Sequence, residues 1–176
     1  MKNLLIVVDM QNDFITGPLG TKEAQAILPD VVRLVRGWDG PVVFTRDTHG
    51  PDYLNTQEGK NLPVPHCLKG SDGWQIAGSL RPWSDKAPVF DKPSFGSTAL
   101  AHWCSSQQPD SVTLCGVCTG ICVISNVLLL KATLPETPVR VIAGCCACVT
   151  PESHQTALAA MRLCQVEVLD EKNQNQ

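Results

Sequence analysis

The chain has 176 residues, of which 43 % are apolar and 18 % charged, and its formal net charge is −3. That length suits one domain, read here over residues 1–176, with a full hydrophobic core. Mild acidity without any basic block argues against nucleic acid or an anionic membrane surface as partner.

Taken in order, Leu4-Leu5-Ile6-Val7-Val8 is a continuous β-branched-rich run, as expected of a strand covered on both faces. It is too short for a secretion leader or a membrane span, so the expected compartment is the cytoplasm, with no membrane partner. The run exits into Asp9-Met10-Gln11-Asn12-Asp13-Phe14. A carboxylate at the carboxyl end of a central parallel strand is where open α/β sheets place function. A helix is predicted over 22–37 from the spacing of Ala26, Ile27, Val31, Leu34 and Val35, with Pro29 kinking or restarting it. Residues 41–45 form a second strand, leaving through Arg46-Asp47-Thr48-His49.

Residues 50–75 carry no periodicity and many prolines and glycines, so they read as a long functional loop. Tyr53, Leu62, Cys67 and Trp74 argue that it packs over the sheet end. A short helical turn is expected within 76–83, and a third strand over 89–92 ends in Lys92. A helix over 98–105 is capped by Ser97. Strand 111–115 breaks at Gly116, and a helix from about Thr119 runs to Leu130. Strand 139–143, a helix over 152–164 with Pro151 in its first turn, and strand 166–169 complete the pattern. The polar tail 170–176 reads as frayed. Strand–helix alternation throughout implies an α/β fold of three α-β-α layers around a mostly parallel sheet. No glycine-rich nucleotide motif occurs.

Cys122 falls in the first turn of the fourth predicted helix, where the dipole is expected to lower its pKa. The N–H groups of that turn can hold an oxyanion. Cys145, Cys146, Cys148 and Cys164 read as reduced thiols used as small apolar residues. Cys115-x-x-Cys118 resembles half a zinc ribbon or a redox pair, but its spacing to Cys145-Cys146-x-Cys148 does not suit a ribbon. Two histidines and two carboxylates, Asp47, His49, Glu58 and His66, lie within twenty residues of one another. They form either a divalent-metal site or a turn cap with solvated histidines. His154, just inside a helix start, reads as structural.

Four landmarks stand together: Asp9 in Val-Asp-Met-Gln-Asn-Asp-Phe, Lys92 after an apolar strand, Gly116-Val117-Cys118-Thr119, and Cys122-Val123. The combination resembles the isochorismatase-like cysteine hydrolases over residues 3–170. The resemblance implies a six-stranded, mostly parallel, Rossmann-like sheet and a triad on Asp9, Lys92 and Cys122. Asp9 would be the base, Lys92 would support the thiolate, and Cys122 would form a thioester. It further implies a cis bond between Val117 and Cys118, with the N–H groups of Cys118 and Cys122 around the oxyanion. Asp47-x-His49, Glu58 and His66 resemble the metal site of the nicotinamidase branch, which binds zinc, iron or manganese, with zinc first. Nicotinamide hydrolysis, Phe14 against the substrate ring, a role in NAD salvage, a small-molecule amide partner and self-association into homo-oligomers follow from the same resemblance. Three positions depart from the branch. Residues 50–56 hold no further histidine, residues 62–65 hold no aromatic, and Gly120 stands where an aspartate is common. The rival readings are a metal-free hydrolase of the same fold and a non-catalytic thiol scaffold.

Overall fold

A computed structural model describes residues 2–170 of the chain, so of the tail expected to fray only Asp170 is described and 171–176 lie outside. Six strands form a single sheet: β1 (Asn3–Val8), β2 (Val42–Asp47), β3 (Val89–Lys92), β4 (Ser111–Val117), β5 (Val139–Ala147) and β6 (Glu167–Leu169). Their order is β3-β2-β1-β4-β5-β6, and every pairing is parallel rather than mostly so. Seven α-helices accompany them: α1 (Asn12–Ile15), α2 (Lys22–Gly37), α3 (Gln57–Asn61), α4 (Arg81–Ser84), α5 (Thr98–Gln107), α6 (Ile124–Thr133) and α7 (Pro151–Leu163). α5, α6 and α7 pack side by side, and α2 lies against β4 and β5, giving a three-layer α/β fold.

β1 is central, and Leu5, Ile6, Val7 and Val8 are wholly buried, which explains why that run is apolar at every position. The chain leaves β1 towards β2 on one side and returns to β4 on the other. The crevice between β1 and β4 is therefore the switch point of the sheet, where such folds bind ligands beyond the strand ends.

Side-chain caps set the helix starts. Thr21 Oγ1 accepts from Ala24 N at the start of α2, and Ser97 Oγ accepts from Leu100 N at the start of α5. Thr150 and Ser153 form a reciprocal box around Pro151 at the start of α7. α2 runs unbroken through Pro29, which faces solvent. Its buried face uses Ala24, Val31, Leu34 and Val35, whereas Ala26 is exposed.

The expected loop 50–75 contains structure that periodicity cannot reveal. A 3-10 turn (Tyr53–Asn55) leads into α3, capped by Thr56, and helices this short show no repeat. The helix predicted from Thr119 also differs. Residues Thr119–Val123 form a π-helical turn, with Val123 N donating to Cys118 O at 3.1 Å, and the α-helix begins at Ile124. One extra residue in a turn leaves the apolar spacing almost unchanged, so sequence reads both as helix. β5 extends four residues past its expected end and shifts register against β4 between Leu114 and Gly116. Cys164 is exposed, unlike the other cysteines read as small apolar residues, because it caps the carboxyl end of α7.

No helix among the described residues is long and apolar enough to cross a membrane. Gly116 has φ +114°, and a Cβ there would sit 2.1 Å from the Val8 carbonyl oxygen. Gly116→Ala is therefore expected to destabilise the protein by about 2–5 kcal/mol, from backbone strain and overpacking together. Urea unfolding against the parent protein measures this.

Candidate active site

The exits of β1, β2, β3 and β4 meet at one rim. Asp9 follows β1 with φ +49°, a left-handed conformation that few non-glycine residues adopt. It closes a tight turn in which Gln11 N donates to Asp9 O at 2.7 Å. The Asp9 side chain is thereby turned against β2, where Thr45 Oγ1 donates to its Oδ1 at 2.6 Å. Asp47 and Lys92 are register partners at the ends of β2 and β3. Cys122 lies in the π-helical turn after β4, and the Val117–Cys118 peptide entering that turn is cis.

These placements bring the three predicted catalytic side chains together. Lys92 Nζ lies 2.6 Å from Asp9 Oδ2, 3.4 Å from Cys122 Sγ, 3.3 Å from Asp47 Oδ1 and 3.1 Å from the Ser94 carbonyl. Asp9 and Lys92 are 0 % exposed and Cys122 is 6 % exposed. Asp9 Oδ2 is buried and faces the Lys92 ammonium as an ion pair, while Oδ1 takes the Thr45 hydroxyl.

Burial governs the titration of this cluster. It raises the Asp9 carboxyl, against the opposing pull of Lys92. Burial alone would lower Lys92, but the charges of Asp9, Cys122 and Asp47 hold it well above the ordinary lysine range. Burial and the Asp9 charge push the Cys122 thiol well up, with Lys92 opposing. The sequence-based expectation of a lowered thiol pKa is thus reversed. A helix start stabilises a thiolate only modestly, whereas desolvation beside a carboxylate penalises it strongly.

A second cluster adjoins the first through Asp47. His49 Nε2 lies 3.0 Å from Asp47 Oδ2 and 3.6 Å from Glu58 Oε1, while His66 Nε2 lies 3.4 Å and 3.7 Å from the same atoms. One ligand atom from each of the four residues fits within 4.8 Å of the others. Tetrahedral zinc with N and O ligands at about 2.0–2.2 Å requires ligand separations of about 3.3–3.6 Å, close to the four histidine–carboxylate distances. Charge fits as well. Lys92 against Asp9, Asp47 and Glu58 leaves a formal charge of −2, which a divalent cation cancels. Burial opposes ionisation of Asp47, but hydrogen bonds with His49 and His66 and the Lys92 charge keep its carboxyl well below the usual range. His66 Nδ1 is hydrogen-bonded to the Val64 carbonyl at 2.8 Å, which presents Nε2 to the cluster. The histidines are therefore buried partners of carboxylates, and the reading of them as solvated loop residues is overturned. Phe14, half-buried on α1, has its ring 5.6 Å from that of His66.

Cys115 and Cys118 do not face one another. Cys115 interacts with Cys145 and Cys146, and Cys118 with Cys148, because β4 and β5 are neighbours. Sequence reasoning missed the buried polar side chains that hold the rim. Gln11 Nε2 donates to the carbonyls of Asp47 and Trp74, both at 2.9 Å, and its Oε1 accepts from Asp47 N at 2.7 Å. Asn126 Nδ2 donates to Cys122 O at 2.8 Å, and its Oδ1 accepts from Ser97 N at 3.0 Å. Thr45 carries no mark in the sequence that separates it from an ordinary strand residue. Only Gln11 carried a signal, as an amide at the exit of an apolar strand.

The sheet order, the switch-point crevice and the buried acid–amine–thiol group define a three-layer α/β enzyme fold with an adjoining candidate metal-ligand cluster. The isochorismatase domain matches residues 3–173, so the chain belongs to that family. Nicotinamidase/pyrazinamidase from Mycobacterium tuberculosis is 28 % identical over 183 residues, covering 94 % of this chain and 97 % of the relative. The crystal structure of pyrazinamidase from Pyrococcus horikoshii in complex with zinc superposes with a TM-score of 0.83 at 26 % identity, covering 97 % of this chain and 99 % of that one. N-carbamoylsarcosine amidase from Thermoplasma acidophilum superposes with a TM-score of 0.81 at 26 % identity, covering 100 % of both chains.

Protein reconstituted with zinc is expected to retain about one ion per chain after desalting, measured by atomic emission. His49→Ala and His66→Ala should weaken retention by more than the roughly 10–100-fold typical of losing a partner in the outer shell. Equal zinc content in all three proteins would remove the assignment of the ligands.

Proposed function

We propose that the protein is a cysteine amidohydrolase of the nicotinamidase type, converting nicotinamide and water to nicotinate and ammonia. The enzyme hydrolyses an amide bond. One observation carries the reading. A buried lysine joins a carboxylate, a thiol and a four-residue metal-ligand set, with its Nζ 2.6 Å from Asp9, 3.4 Å from Cys122 and 3.3 Å from Asp47.

In this reading the resting site holds a neutral thiol beside an ionised Asp9, the state that a raised thiol favours. As substrate arrives, Cys122 passes its proton to Asp9, and the sulfur attacks the amide carbon. Thr45 occupies Oδ1, which leaves Oδ2, on the Lys92 side, to receive that proton. Lys92 stays an ammonium throughout and stabilises the sulfur anion at 3.4 Å. The N–H groups of Cys118 and Cys122 hold the oxyanion, an arrangement in which each donor contributes about 10²–10³ in rate. Asp9 returns the proton to the departing nitrogen, ammonia leaves, and a thioester remains on Cys122. Asp9 then takes a proton from water as that water attacks the thioester carbon; the C–S bond breaks, the carboxylic acid is released, and the proton passes from Asp9 to the Cys122 sulfur.

Asp47, His49, Glu58 and His66 would hold the divalent ion, with zinc favoured by their N and O donors. Bound there, the ion supplies a fixed positive charge for a ring nitrogen or its waters. Phe14 offers an aromatic face beside His66 and would orient the ring.

A second reading, a small amide other than nicotinamide, is favoured by one feature. The segment Leu62-Pro63-Val64-Pro65 before His66 is aliphatic, and Leu62 is 38 % exposed. Ammonia release from nicotinamide, pyrazinamide and simple aliphatic amides by the zinc-loaded protein separates the two. The first reading expects turnover of the heteroaromatic amides, lost on chelation and on Cys122→Ala. Activity confined to aliphatic amides would favour the second.

Asp9 must be ionised to act as base, and its folded pKa is raised, so activity falls with acid at a higher pH than an ordinary aspartate would impose. Thr45→Val removes a hydrogen bond that lowers this pKa, so the acid limb of kcat/KM should move to still higher pH. An unmoved limb would assign it to another group.

A further inference from the structure

His154 reads from the sequence as a structural residue at a helix start, and nothing in the proposed reaction uses it. Its neighbourhood says more. Its Nδ1 lies 2.8 Å from the hydroxyl of Thr119. Thr119 is 0 % exposed and follows Cys118 directly, at the first position of the π-helical turn that ends in Cys122 and Val123. A buried hydroxyl at that point needs a partner, and α7 supplies it from its first turn. Packing fixes the same junction. A Cβ built on Gly120 would lie 3.4 Å from Ala157 Cβ and 3.4 Å from Cys148 Sγ, and 3.7 Å from the Ser153 carbonyl. α7 therefore lies directly over the turn, and a side-chain hydrogen bond between Thr119 and His154 ties the two together.

We propose that His154 is a positioning residue for the amidase reaction, holding the nucleophile turn through the Thr119 hydroxyl. The inference rests on the amidase reading above. The N–H groups assigned to the oxyanion belong to Cys118 and Cys122, and Thr119 is the first residue between them. Rotation at Thr119 changes the angle between those two donors, and the hydrogen bond to α7 removes that freedom. Burial lowers the His154 imidazole below its ordinary value, so the ring is neutral near pH 7 and Nδ1 can accept the Thr119 proton. No contact with substrate is required, so the residue acts on kcat and leaves substrate affinity alone.

The test compares Thr119→Val, His154→Phe, the double variant and His154→Asn, assayed well below each unfolding midpoint. Asn can place a polar atom where Nδ1 stands; Phe keeps volume without it. Thr119→Val and His154→Phe should each lower kcat by about 10–10²-fold with KM nearly unchanged, as small misplacements at reacting centres do. The double variant should be no worse than either single, and His154→Asn should recover most of the rate. Additive losses, a loss in KM alone, or a parent-like kcat in His154→Phe would overturn the proposal. Hydrogen exchange over residues 118–123 gives a readout independent of turnover, and both single variants should speed it. Unchanged exchange sinks the positioning role. If the parent protein hydrolyses no amide, the amidase reading fails instead, and the exchange comparison still decides whether His154 holds the turn.

Discussion

The buried ammonium of Lys92 constrains everything around it. A charge with 0 % exposure costs several kcal/mol in lost solvation unless partners replace the water. Here Asp9, Asp47, the Ser94 carbonyl and the Cys122 sulfur replace it, each within 3.4 Å of Nζ. Those partners come from the exits of β1, β2, β3 and β4, so the charge is satisfied only when the four strands are in register. Satisfying one ammonium and assembling the site are thus the same event.

Asp47 gives the arrangement a second function. Its Oδ1 faces Lys92 and its Oδ2 faces His49 and His66, so one carboxylate joins the acid–amine–thiol group to the candidate metal-ligand set. Gln11 fixes that residue's backbone by two hydrogen bonds, and a third reaches the loop at Trp74. In the proposed function, a substrate held by that cluster would therefore sit at a set distance from the sulfur. Positioning of this kind lowers a barrier without chemistry at the positioning group.

The thiol illustrates how competing effects are decided by magnitude. A helix start favours a thiolate by about 0.3–1 kcal/mol at an exposed site. Full burial shifts a titrating group by up to about 3–5 pKa units, and a neighbouring carboxylate adds to it. Burial wins, and the Cys122 thiol is held well above its ordinary range. In the proposed reaction, nucleophile activation then belongs to the Asp9–Lys92 pair, and the turn contributes the oxyanion donors.

The apolar runs at 4–8 and 111–115, the helical spacing of 22–37, and the cap residues Ser97 and Pro151 were enough to specify an α/β sheet and most of its elements. Local rules suffice there, because burial of a strand and capping of a helix depend on neighbours in the chain. Asp9, Lys92 and Cys122 were legible as residues at strand or helix ends, and the tetrad at 47–66 as a cluster of donors. Their convergence was not legible, since parallel strands place ends together only through pairing across long stretches of chain. The same limit hid Thr45 beneath Asp9, the bond from His154 to Thr119 across 35 positions, and the direction of the Cys122 shift. Each depends on what stands opposite in space, and an isolated sequence position carries no record of its dielectric surroundings.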